Sequence, residues 1–144
     1  MREILFRGKP KNEADYEFLK KMYKDNCKDG FIYGSLVVSH GKYYICIMAL
    51  CQINSLVNNG TTTMFEVVPE TVGEHTGLKD KNDKMIFEGD IVLLKNDEEP
   101  YQVAFDECCF QVYSHSVCYV MDNFYDHDIE VLGNIHDNSE LLEG

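Results

Sequence analysis

The sequence predicts a mostly β protein of the α+β class, with short strands arranged as a small barrel or sandwich and one helix near the N-terminus. Three observations predict it. Runs rich in Val, Ile, Thr, Tyr and Phe recur along the chain, each bounded by Gly, Pro, Asn or Asp. Turn signals return every ~8–12 residues, the spacing of small barrels and sandwiches. Only the stretch after Pro10 places apolar residues at helical spacing. At 144 residues the chain fits one domain, or a small domain with an appended subdomain. Its hydrophobic content of 44% and aromatic content of 12% are those of a globular chain, not a disordered one.

The elements follow in order. Arg2–Arg7 is a short strand, stopped by Gly8-Lys9-Pro10. Asn12 reads as a helix N-cap, with Glu13 and Asp15 in the first turn, where the helix dipole favours acids. Tyr16, Leu19, Met22 and Tyr23 form its apolar stripe, Phe18 lies beside it, and Asp29-Gly30 marks the latest stop. Phe31–Val38 and Tyr43–Met48 are strands joined by the hairpin loop Ser39-His40-Gly41-Lys42. Residues 49–60 are ambiguous. Thr61–Val68 is a strand ended by Pro69, which cannot donate to a ladder. Val72–Leu78 is short, and Asp80–Asp83 is a polar turn in which Asn and Asp tolerate the left-handed region less easily than Gly would. Lys84–Leu94 is a strand bent at Glu88-Gly89-Asp90, a device that lets a short sheet curl. Tyr101–Phe105, Phe110–Tyr113, Val117–Met121 and Ile129–Ile135 are further strands, before a polar tail.

The densest turn chemistry lies between Val67 and Leu94, and its polar residues admit two readings. Glu70, Thr71, Asp80, Glu88 and Asp90 could form a carboxylate cluster for a metal or for general acid–base work. The better reading makes them turn formers that bond local backbone N–H groups. His75, between a Glu and a Thr, reads as a packing or surface residue. Cys108, Cys109, His115, Cys118 and His127 are zinc-type ligands, but the C-x2-C knuckle is absent and adjacent Cys in a strand point to opposite faces. Asp122, Asp126, His127 and Asp128 lack the spacing and the sharp Gly turn of an EF-hand loop. No nucleophile elbow or phosphate-binding Gly-rich loop is present. The sequence therefore predicts no catalytic residue, no metal site and no cofactor.

Charge is unevenly distributed. The formal net charge is −12, and residues 96–144 hold twelve acids and no Lys or Arg. Such a surface repels phosphates and anionic membranes and favours basic partners. Residues 1–30 carry eight basic and six acidic side chains. Arg2, Arg7, Lys9 and Lys11 form a small basic patch that could neutralise few phosphates, so nucleic acid is a poor partner. Met1–Lys9 lacks an apolar signal region, and no apolar run approaches the roughly 20 residues of a membrane span. A cytoplasmic protein with six free cysteines is the expectation, with Cys46, Cys51 and Cys118 as small core residues.

Five segments, in this order, carry a family resemblance: F-R-G-K (Phe6, Arg7, Gly8, Lys9), Y-G-S-L from Tyr33 and Gly34, V-x-P-E-T-V-G-x-x-T-G-L-K-D-K-N from Val67, E-G-D-I-V (Glu88, Gly89, Asp90 onward) and V-L-G-N-I-x-D-N-x-E-L-L from Val131 to Leu142. The central one contains Pro69, Glu70, Thr71, Gly73, Thr76, Gly77, Leu78, Asp80 and Asn82, and the closing one Gly133 and Asn134. Together they resemble the YopX family of phage and prophage proteins, from near the first residue to near the last. The resemblance implies an SH3-like small β-barrel with additional short strands, in the cytoplasm of a bacterial host, and it brings no established activity and no catalytic residue. On this reading residues 1–60 supply strands and the helix packed on the barrel, residues 61–144 form the barrel region, and the two make one compact unit. The chain departs from the family pattern at Asn82-Asp83, where Asn-Gly is frequent, and in a longer Pro10–Gly30 segment. The expected function is a non-enzymatic protein-interaction module, self-associating and with a basic protein partner. A nucleic-acid-binding barrel and a metal-dependent hydrolase are the alternatives.

Overall fold

A computed structural model describes residues 4–50, 60–115, 117–121 and 128–143. The chain divides into two units, Ile4–Val72 and Gly73–Gly144. Described residues of the first unit contain the helix α1 (Glu13–Met22) and five strands: β1 (Phe6–Gly8), β2 (Cys27–Lys28), β3 (Phe31–Ser39), β4 (Lys42–Leu50) and β5 (Gly60–Val67). All pairing is antiparallel, β5 to β4, β4 to β3 and β3 to both β1 and β2. Asn12 caps α1 as expected, its side-chain oxygen accepting the Ala14 N–H at 2.9 Å. The β3–β4 hairpin turns on His40 and Gly41, both with positive φ, the geometry that matches strand twist in a two-residue loop. Leu19 from the helix packs with Ile32, Ile45, Ile47, Phe65 and Val67 from the sheet. Burying each such aliphatic side chain is worth about 1.5–3 kcal/mol, so this cluster holds the helix to the sheet.

The second unit carries β6 (Gly73–Lys79), β7 (Met85–Phe87), β8 (Asp90–Leu94), β9 (Pro100–Asp106), β10 (Cys109–Tyr113), β11 (Cys118–Val120) and β12 (Ile129–Asn134). β6 and β7 form a hairpin. The other five make a sheet of order β11-β10-β9-β8-β12, a meander whose last strand returns beside its first. Its core joins Ile86, Val92, Leu94, Tyr101, Val103, Phe110, Val112, Met121 and Ile129. Alternation along the strands explains the set: Tyr101 and Val103 face inward from β9, Phe110 and Val112 from β10.

The mostly β class, and the one α-helix among the described residues, are as the sequence predicts. The closed barrel is not found: among the described residues the five-stranded sheet stays open between β11 and β12. Strand β5, which the sequence assigns to the barrel region beginning at residue 61, pairs along its length with β4 and falls in the first unit. Ladder pairing decides its place, not its nearness to the central motif. The helix ends at Met22, which is 60% exposed and drops out of the predicted stripe, while Tyr16, Leu19 and Tyr23 pack against the core. Cys118 is not a core residue. It is exposed on β11, where its thiol donates to the Gln111 side-chain oxygen. Cys51 lies outside the described residues.

Gly34 tests the packing of β3. A Cβ there would run into the backbone carbonyl oxygen of Cys46 and lie 3.0 Å from the Ile45 Cγ2. Backbone cannot swing aside as a flexible side chain can. Gly34→Ala should therefore cost about 1–3 kcal/mol, read as a lower urea midpoint with an unchanged slope.

Candidate functional site

The dense polar stretch folds inward. Asp80, 3% exposed, accepts N–H groups from Asn82 (2.8 Å) and Lys84 (2.9 Å) on one carboxylate oxygen and from Val131 (2.9 Å) on the other. The first two close the β6–β7 turn, and the third ties that turn to β12. Lys81 reinforces the tie, its N–H donating to the Ile129 carbonyl and its ammonium pairing with Glu130. Asp83 in this turn sits at φ 65°, the left-handed conformation that Gly adopts without strain and Asp tolerates. Thr76, Gly77 and Leu78 form a bulge in β6. Gly77 has φ 91°, while the Thr76 hydroxyl donates to Ile86 O at 2.9 Å and accepts the Leu78 N–H at 3.2 Å.

The bend between β7 and β8 is built the same way. Asp90 accepts the Phe87 N–H at 2.8 Å, and Gly89 takes φ 93°. The Gly89 N–H donates to Val103 O, and its carbonyl accepts the Ile135 N–H, both at 2.9 Å. Gly73 is held against the Glu88 carbonyl so closely that a Cβ would collide with it. At the chain's end, Gly133 sits at a register shift in β12. Asn134 accepts the N–H groups of His136 and Asp137, and Asn138 accepts that of Asn134.

Burial pushes the Asp80 carboxyl up, but the N–H bonds from Val131, Lys84 and Asn82, with the Lys84 charge, outweigh it and leave the group below its ordinary value. Glu88 moves the other way: burial raises it and the Glu74 charge adds to that, against N–H bonds from Glu74 and Phe105. Glu88 thus has the elevated proton affinity that acid–base chemistry uses, yet its carboxylate also accepts a backbone N–H, from Glu74, as those of Asp80 and Asp90 accept theirs. Among the described residues no three His, Cys, Asp or Glu side chains gather to hold a metal ion. Asp122, Asp126 and His127 lie outside the described residues. His75 is buried, its ring 5.2 Å from that of Phe87 and its Nε2 3.3 Å from Leu78 O. Glu70 and Asn82 are exposed.

Motif residues of the first unit hold its own backbone. Thr71 accepts the Lys9 N–H at 2.8 Å and donates to Val68 O at 2.6 Å, fastening the Pro69–Thr71 turn beside β1. The Tyr33 carbonyl accepts the Asn26 side-chain amide. Phe6 packs against the core, and Gly8 faces Val67 with no room for a larger side chain. The basic patch is largely committed. Arg7 is 4% exposed with its guanidinium 4.2 Å from the centre of the Phe31 ring, the Lys9 ammonium is 4.8 Å from the same ring, and Lys11 pairs with Glu66 at 3.0 Å. Arg2 lies outside the described residues.

A cleft of about 180 Å³ opens in the second unit, where the start of β9, the end of β10 and the Ser139–Leu142 turn meet. Glu99, Gln102, Tyr113, Ser114, His115 and Leu142 line it. His115 Nε2 lies 3.3 Å from the Leu142 carbonyl oxygen and links the two walls. The adjoining loop is pinned by Tyr101, whose hydroxyl donates to Asp97 at 2.7 Å while Asp97 also accepts the Glu99 N–H. The bond to Asp97, together with burial, pushes the Tyr101 hydroxyl up to about 12. Sequence reasoning missed this cleft because three segments far apart in the chain build it. The one available signal was the absence of Lys and Arg after residue 95.

Fold and site together define a mostly β protein whose signature polar residues brace backbone. YopX protein is the family that matches, over residues 8–143, and the chain belongs to it. Among curated proteins no match is found. The crystal structure of protein EF1440 from Enterococcus faecalis is similar in fold, with a TM-score of 0.59 at 19% identity over 99% of each chain. No helix among the described residues is long and apolar enough to cross a membrane.

Asp80 gives a signed pH prediction. Its folded value lies below the unfolded value of about 3.9. The stability it contributes is therefore present above that pH and lost as pH falls through the folded value. Asp80→Asn should lower unfolding free energy by about 2–3 kcal/mol at neutral pH. The gap to the natural protein should shrink as pH falls below the ordinary carboxylate range, as measured by urea melts at neutral and at acidic pH.

Proposed function

We propose that the chain is a phage or prophage accessory protein that works by binding another protein and not by catalysis, in the cytoplasm of its bacterial host. One observation carries the reading: Asp80, Asp90, Thr76 and Asn134, polar residues of the motif, bond backbone groups. The last third of the chain presents acids to solvent. Asp106, Glu107, Asp137, Glu140 and Glu143 are exposed, in a third of the chain with no basic residue to offset them. That favours a basic partner through complementary potential. The nucleic-acid alternative loses support from the engagement of Arg7, Lys9 and Lys11. The SH3-like barrel belongs to this proposal as well. Its support is the pairing of β12 with β8, which brings the last strand of the chain back beside the first strand of the meander.

Self-association is the second part. Strand β11 lies at the end of its sheet with all three residues exposed, and such an end invites pairing. Light scattering at several concentrations should give a mass above 16.6 kDa; a monomer throughout removes this part. For the partner, affinity capture is compared at low and high salt beside a gel shift with DNA and RNA. A basic protein retained at low salt and lost at high salt, with no gel shift, is the expected result. Capture insensitive to salt, or a shift at micromolar protein, would count against it.

A further inference from the structure

We propose that the cleft between β9, β10 and the C-terminal turn receives an arginine side chain presented by the basic protein partner. The inference rests on the interaction reading above and gives it an address. Three features of the lining suit a guanidinium. Glu99 supplies a carboxylate, and a guanidinium pairs with a carboxylate through two parallel N–H bonds. Tyr113, 39% exposed, supplies a ring on which a planar cation stacks. Ser114 supplies a hydroxyl oxygen that is buried and has no hydrogen-bond partner among the described residues. A hydroxyl in that position is costly unless something bonds it, and a guanidinium with five N–H donors has one to spare.

Charge argues for the same occupant. No Lys or Arg follows residue 95, so no cation from that part of the chain competes for Glu99. The field of the whole acidic third draws a cation toward it. An anionic or apolar group would meet the carboxylate uncompensated. Lysine fits less well, because an ammonium is a compact charge that neither stacks flat on Tyr113 nor forms a fork with Glu99. The family's closing motif takes part: Asn134 and Asn138 fold the tail back so that Leu142, the motif's last residue, forms one wall.

The test uses the full chain, labelled with nitrogen-15, and two short peptides acetylated and amidated at their ends. One carries a single arginine and the other citrulline, which has the same shape without the charge. The arginine peptide should give saturable amide shifts at Glu99, Tyr113, Ser114 and Leu142, and the citrulline peptide none. Glu99→Gln should weaken binding at least about tenfold, and Tyr113→Leu several-fold, with the rest of the spectrum unchanged as proof of folding. Absent shifts, equal shifts with citrulline, or shifts spread evenly over residues 96–143 would overturn the cleft assignment. Salt-sensitive capture of a basic protein alongside any of these would leave the interaction reading standing, and its loss would remove both.

Discussion

Asp80 accepts backbone N–H groups from two sides, and the architecture of the second unit depends on that fact. Through Asn82 and Lys84 it closes a turn; through Val131 it fixes a strand 51 residues further along. A buried carboxylate without donors would be expensive. Three donors make it favourable instead, and they hold it ionised. Nine residues on, Gly89 repeats the arrangement with main-chain atoms alone, joining Val103 to Ile135. Strand β12 is thus held from within the central motif at both its middle and its end. Two motifs that lie apart in the sequence are one hydrogen-bonded assembly in the fold.

That assembly explains which parts were legible. Turns announce themselves by residue type, because Gly, Asn and Asp at positive φ are few. Gly89 at the bend, Asp83 in the hairpin and His40-Gly41 between β3 and β4 could be read directly. The cap at Asn12 was legible for the same reason: one side chain satisfies one nearby donor. What was hidden is non-local. Nothing near Asp80 in the chain shows that Val131 bonds to it, and nothing in Thr61–Val68 shows that the strand joins β4. Cys118 misled because an apolar run can form an exposed end strand as readily as a buried one. The open sheet escaped prediction because bends permit curling but do not decide whether the ends meet.

The cleft is the extreme case. Glu99, Tyr113, Ser114 and Leu142 come from a loop end, a strand end and the tail, and of these only Leu142 belongs to a family motif. Their convergence follows from β9 pairing with β10 and from the asparagines that turn the tail. Function placed at loop ends on a fixed sheet is the common arrangement, because the scaffold holds the geometry while the ends vary.

The carboxylates therefore divide into two populations with opposite energetics. Asp80 and Asp90 are desolvated, bonded to N–H groups and stabilising. Among the described residues those of the last third are mostly exposed, and they have no basic neighbours in their own segment, so they repel one another and weaken the compact state. Salt screens that repulsion in part. A cationic partner relieves it more completely, because it brings opposite charge to fixed positions. Anything that binds the folded chain alone also stabilises it in proportion to occupancy. The inward acids hold β12 and the tail in place, so a partner bound at the outward ones would couple binding to folding.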